Sequence, residues 1–206
     1  FEMIRYSPGI EEQATLEALK DIIFQEAYHY DVIVFDTAPT GLTLRVLALP
    51  SLSVLWIEKL TGLRKKILGL RSSIAHIHGD QYLTVEGVQE KLATSAEEDA
   101  TMNELRQYHA DIERIRKTLT NPNLTSVAAV LNAEEMPLLE TERAAEALKK
   151  FHIPLKLLIV NKVLRFDRTP PEFVRKMQQQ EAILARASQA FPQQTLLEAL
   201  WQPEEP

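Results

Sequence analysis

The chain has 206 residues, 45% of them hydrophobic, enough for one large domain with a core or for one and a half small ones. Its formal charge of −6 excludes a general nucleic-acid binder, whose footprint is basic, and zero cysteines exclude disulfides, thiolate metal sites and a cysteine nucleophile. No uninterrupted apolar run comes near the roughly 20 residues of a membrane span, and the opening FEMIRYSPGIEEQ lacks the basic leader and apolar run of a secretion signal, so a cytoplasmic protein with at most peripheral membrane association is expected.

In chain order, residues 11–28 follow Pro8-Gly9 and carry Leu16, Leu19, Ile22 and Ile23 at helical spacing. Residues 32–35 (VIVF) form a short β-branched apolar run, the signature of an interior parallel strand. After Pro50 the character changes. Trp56, Leu60, Leu63, Ile67, Leu70, Ile74 and Ile77 recur every three or four residues, and six basic residues face one acid between 45 and 78. Residues 79–98 read as loop or loosely ordered helix. A second stripe, Thr101, Leu105, Tyr108, Ile112, Ile115 and Leu119, predicts a helix closed by Asn121-Pro122-Asn123.

An α/β rhythm then resumes, with strands predicted at 126–131 (SVAAVL) and 155–160 (LKLLIV) and helices at 139–151 and 172–190. The pattern predicts an α/β fold whose mostly parallel sheet and flanking helices are interrupted by a helical insertion. Its expected parts are an incomplete α/β domain over 1–50 and 120–206 and a helical subdomain over 51–119.

The apolar run at 32–35 ends in Asp36. A carboxylate at the C-terminal edge of such a strand lies where open α/β sheets bind ligands, and it can hold Mg²⁺ through water beside a polyphosphate. Read alone, it is more often an ordinary strand-end cap. The continuation TAPTG adds a turn at Pro39 and Gly41 with hydroxyls on Thr37 and Thr40, a loop able to sense a terminal phosphate.

The segment FDTAPTGLTLRVLALP at 35–50 resembles the switch II signature of the arsenical pump-driving ATPase family, which includes the cytosolic ATPase that delivers tail-anchored membrane proteins. PGIEE at 8–12, LLETER at 138–143 and LIVNK at 158–162 follow in the family's order, so the resemblance covers nearly the whole chain. It implies a nucleotide-triphosphatase of the phosphate-loop type using ATP and Mg²⁺, with Asp36 beside the magnesium and residues 37–41 within a switch spanning 36–45. It also implies an adenine-reading amide on Asn161, followed by Lys162. QPEEP at 202–206 is similar to the start of the adenine-side loop, which implicates Pro203, although Leu200 stands where many members have proline.

Three departures bear on function. Leu42 replaces a histidine common in the family. The cysteines that bind zinc between subunits are absent, so no zinc and no cysteine-held arsenite is expected. No Gly-Lys pair is present, and the family's phosphate loop and catalytic aspartate belong before Phe1, so this chain alone is expected to be inactive.

In the resemblance, the insertion corresponds to the subdomain that closes on a hydrophobic helical client, which implicates Trp56, Leu60, Leu63, Ile67 and Leu70; in the pump branch the partner is a membrane subunit. A homodimer is implied. The simpler reading of the same stripe is a seam sealed against the second one as a helical hairpin. The alternative to an ATPase is an interaction module of the same fold that binds hydrophobic helices without nucleotide chemistry. Apart from the pair at 76 and 78, the five histidines show no metal-ligand spacing, and that pair, without carboxylate company, reads as surface residues.

Overall fold

The structure, a computed structural model, describes residues 9–37, 40–85, 88–166 and 170–202. The chain divides into two compact units, Phe1–Asp36 with Arg45–Arg116, and Thr37–Leu44 with Lys117–Pro206. The class is the expected mixture of helices with a parallel open sheet.

The first unit is mainly helical. Helix α1 (Ile10–Asp21) runs on into a π-helical turn, Ile22–Glu26, as the 11–28 periodicity predicts. Helix α2 spans Thr40–His78 without a break, although Pro50 lies inside it. A proline there removes one backbone hydrogen bond and crowds the preceding turn. Pro50 is fully buried with Val46, Ala48 and Leu49 around it in sequence, so packing holds the helix through the defect. Over Thr43–His78, α2 is by length and composition alone also apolar enough to cross a membrane, although charged residues interrupt it and a third of its most apolar window is buried. Helix α3 (Ala100–Thr120) coincides with the second stripe. The buried side chains of this unit include Leu16, Ile57, Leu68, Met102, Ile112 and Ile115. Helix α1 is tied to α3 by a 3.2 Å hydrogen bond from Gln13 Nε2 to Tyr108 Oη and by the Lys20–Asp111 ion pair at 3.5 Å.

The expectation of loop at 79–98 is corrected in part. Strands β1 (Tyr82–Val85) and β2 (Val88–Lys91) pair antiparallel, Tyr82 opposite Lys91 and Val85 opposite Val88. Four residues per strand are too few for periodicity to register. Lys91 pairs with Asp80 at 2.8 Å at the open end.

The second unit holds the sheet. Strands β3 (Val127–Asn132), β4 (Leu155–Val163) and β5 (Thr195–Leu200) are parallel in the order β3-β4-β5, with α4 (Glu135–Lys150) and α5 (Val174–Ala190) as the crossovers. Helix α4 begins ahead of the predicted 139 because Pro137 lies in its first turn, where a missing N–H costs nothing. Strand β5 was not anticipated: TLLEAL mixes apolar and polar residues as an edge strand does. One face of the sheet is a core in which Leu131, Leu158 and Val160 pack with Leu138, Leu184, Ala187 and Phe191. On the other face Val130, Ile159 and Leu197 lie in register across all three strands, and Val130 and Leu197 are exposed.

Candidate functional site

The expected strand at 32–35 is not formed. Residues 32–37 are irregular chain, and no described strand pairs with them. A strand exists only where a neighbour takes its N–H and C=O groups, and here the apolar side chains stand open, Val32 at 76% and Val34 at 84% exposure. Asp36 and Thr37 are both exposed. Pro39 lies outside the described residues, as does Pro203. Helix α2 opens at Thr40-Gly41, the end of a helix at which amide groups and dipole favour an anion. A Cβ at Gly41 would meet no atom within 4 Å, so the glycine leaves open ground.

Among the described residues no group of three or more His, Asp or Glu side chains could by itself hold a metal ion. A single exposed carboxylate still fits Mg²⁺, which keeps several waters and binds through one or two carboxylates plus substrate phosphates.

Within the second unit, Asn161 and Lys162 sit at the C-terminal end of β4, the ligand-binding edge of an open α/β sheet. Asn161 pairs in register with Asn132 at the end of β3, so two carboxamide residues neighbour each other at this edge. The Oδ1 of Asn161 accepts the N–H of Lys162 at 2.9 Å. Lys162 has φ 57, the left-handed region, and its side chain is exposed. Just beyond, Arg165 donates to Glu198 of β5 at 2.7 Å and to Glu181 of α5, pinning the segment that leaves the strand.

Along α2, Trp56, Leu60 and Ile67 are half-buried, whereas Leu63 and Leu70 are exposed at 48% and 67%. Ile74 and Ile77 continue this exposed line. The buried line runs through Val46, Leu49, Pro50, Ser53, Ile57 and Leu68, about one residue round the helix from the predicted stripe. Hydrophobicity alone misplaced the seam because two of its members are polar: Ser53, and Arg64, whose side chain is largely covered where it meets Asp99. Lys65 and Lys66 are exposed beside the open apolar line, as are Gly62 and Gly69.

Two residues escaped sequence reasoning. Asp99 is buried at the start of α3, and Gln180 is buried on α5 against the end of β4. Their partners lie 35 and 16 residues away in the chain, so no local pattern marks either one.

The family model of the anion-transporting ATPases matches residues 1–205. Among curated proteins, an Entamoeba dispar protein named ATPase ASNA1 homolog is 35% identical over 167 residues, covering 79% of this chain and 45% of that protein. The Arabidopsis thaliana ATPase GET3C is 33% identical, with 84% of this chain and 42% of that protein covered. The Arabidopsis thaliana ATPase GET3A is 31% identical, with 78% and 41% covered. The chain thus spans about half the length of the curated relatives it matches.

Proposed function

Because the chain belongs to the anion-transporting ATPase family, we propose that it is part of an ATP-hydrolysing protein that drives targeting or transport. The observation that carries this reading is the exposed Asp36 carboxylate immediately ahead of Thr37 and of the α2 N-terminus at Thr40-Gly41. In the proposal, Asp36 holds Mg²⁺ through water, and the ion neutralises charge on the β- and γ-phosphates. Thr37 and Thr40 sense the γ-phosphate through hydroxyl and backbone N–H donors and Gly41 through its N–H, while Pro39, which has no donor, is assigned to the turn of the same switch. Asn161 and Lys162 face the nucleotide base from the strand edge, and Pro203, outside the described residues, is assigned to the adenine-side loop by the resemblance alone.

Residues 1–50 and 120–206 are assigned to the nucleotide-binding domain and 51–119 to a helical subdomain. The exposed line on α2 at Leu63 and Leu70, flanked by Trp56, Leu60 and Ile67, is read as the wall of a groove for a hydrophobic helix. Nucleotide closure of the switch would change that groove, most simply across a homodimer in the cytoplasm. Residues 1–206 by themselves contain no Gly-Lys pair to cradle the phosphates, and alone they are expected to be inactive.

The test is Mg²⁺-dependent phosphate release from ATP by the protein as its host produces it, with and without a synthetic apolar helical peptide. ATP turnover that responds to the peptide supports the reading. Peptide binding with neither ATP binding nor turnover would assign the chain to the non-enzymatic alternative.

A further inference from the structure

Strand β4 leaves its ladder before it ends. Val160 is opposite Glu198 and Val163 opposite Leu200, so β4 carries one extra residue over this stretch, a β-bulge at Asn161-Lys162. The bulge turns backbone groups away from β5, and Lys162 enters the left-handed region at φ 57, where an L-residue is strained. One side chain meets the groups so displaced. Gln180 Nε2 donates to the Lys162 carbonyl at 3.1 Å, and Gln180 Oε1 accepts the Leu164 N–H at 3.0 Å. The Gln180 carboxamide, 5% exposed, therefore acts as the peptide group of an absent neighbouring strand, with one donor and one acceptor used.

The held kink has a consequence for the residue before it. Asn161 Oδ1 is occupied by the Lys162 N–H at 2.9 Å, a bond that depends on the conformation Lys162 is held in. That bond takes one lone pair of the oxygen and fixes which way the Asn161 carboxamide faces, leaving its Nδ2–H donors and the second lone pair for a ligand.

We propose that Gln180 is a positioning residue for base recognition: by clamping the bulge it orients the Asn161 carboxamide to donate to a purine ring nitrogen and to accept from the adjacent amino group of adenine, where guanine has a carbonyl. This rests on Asn161 facing the base of a bound nucleotide. A residue without both a donor and an acceptor at 180 would leave the Lys162 carbonyl or the buried Leu164 N–H unpaired, and the bulge would relax.

The experiment measures ATP and GTP affinity by calorimetry, kcat at saturating ATP, and hydrogen exchange at the Leu164 amide, all on the full protein from its host. It compares wild type with Gln180→Leu and Gln180→Glu. In Gln180→Leu the ATP Kd should rise about tenfold, the preference for ATP over GTP should collapse, and kcat should stay within about twofold. Its Leu164 amide should lose protection. Gln180→Glu keeps an acceptor for Leu164 but sets a carboxylate against the Lys162 carbonyl, so base preference should fall while Leu164 stays protected. This second variant decides the matter if Gln180→Leu does not fold.

Base preference and ATP Kd unchanged in the folded variants overturn the proposal, whatever happens at Leu164. Wild-type protein that binds ATP without preferring it to GTP also overturns it while leaving the ATPase reading standing. Wild-type protein that does not bind ATP overturns both.

Discussion

Asp99 takes the Arg64 guanidinium on both of its carboxylate oxygens, Nε to Oδ1 at 2.9 Å and Nη2 to Oδ2 at 2.6 Å. The same Oδ1 accepts the Met102 N–H at 2.8 Å, so one buried carboxylate caps α3 and fastens it to the middle of α2. Cap and ion pair are separable by substitution. Asp99→Asn keeps a capping oxygen and loses the charge, and should destabilise by about 2 kcal/mol; Asp99→Ala loses both, about 3 kcal/mol. Urea denaturation of the two variants against wild type measures this, and equal stabilities for all three would remove the pair from the forces holding the unit together.

The same contact sets an acid limit. The Arg64 guanidinium, bonded to Asp99, holds that carboxyl below its usual range; the Met102 N–H adds to the effect and burial opposes it. A carboxyl whose folded value is depressed contributes stability that is complete above the unfolded value of about 3.9 and is lost as pH falls through the lower folded value. The Tm gap between wild type and Asp99→Asn should therefore be full at neutral pH and close on acidification below about pH 3.9. A gap that stays constant down to the acid end would show that the Asp99 charge is not what α2 and α3 lose in the variant.

How much of this was legible in the sequence depends on the range of the interaction. The strands β3 and β4 were readable because each is a continuous apolar run, although only β4 is interior in the described sheet, and α1, α3, α4 and α5 because amphipathic spacing repeats over many turns. The apolar run at 32–35 carried the same signal as β4 and is not a strand, since apolarity reports what a strand buries and says nothing of which neighbour pairs with it. The inward line of α2 was displaced by one residue because Ser53 and Arg64 lie in it, and a polar residue joins a buried seam only when a distant partner such as Asp99 accepts it. Asn161 was singled out through the resemblance and is proposed to read the base, while Gln180, which hydrogen-bonds the backbone beside it, could be seen only with α5 folded against β4.

Asp36 is exposed in irregular chain, so replacing it should leave folding nearly untouched, within about 0.5 kcal/mol. Its proposed work is electrostatic and appears only with nucleotide and metal present. Asp36→Asn keeps the size and removes the charge that faces Mg²⁺, and should lower Mg²⁺-dependent ATP turnover of the full protein by about 100-fold or more. A thermal melt beside the kinetics separates the two effects. Turnover at the wild-type rate would exclude Asp36 from the metal site.

The exposed line on α2 makes the last test, because one helix carries both its own control and its own probe. Leu63, Leu70 and Ile77 are 48%, 67% and 73% exposed, so changing each to Ser should cost about 0.5 kcal/mol or less of stability. Leu68 on the same helix is 3% exposed, and Leu68→Ala should cost about 3 kcal/mol through lost burial and the cavity left behind. If the line is a client-binding wall, each Ser removes an apolar contact worth about 1.5 kcal/mol, roughly tenfold in affinity for an apolar helical peptide. Peptide anisotropy titrations on the three single variants and the triple variant read this directly, with urea midpoints taken on the same preparations. A triple variant that folds normally and binds the peptide as wild type does would mean that this face serves something other than a hydrophobic client. A triple variant that unfolds would mean that the line is structural and sealed in solution, and would remove it as a client-binding wall.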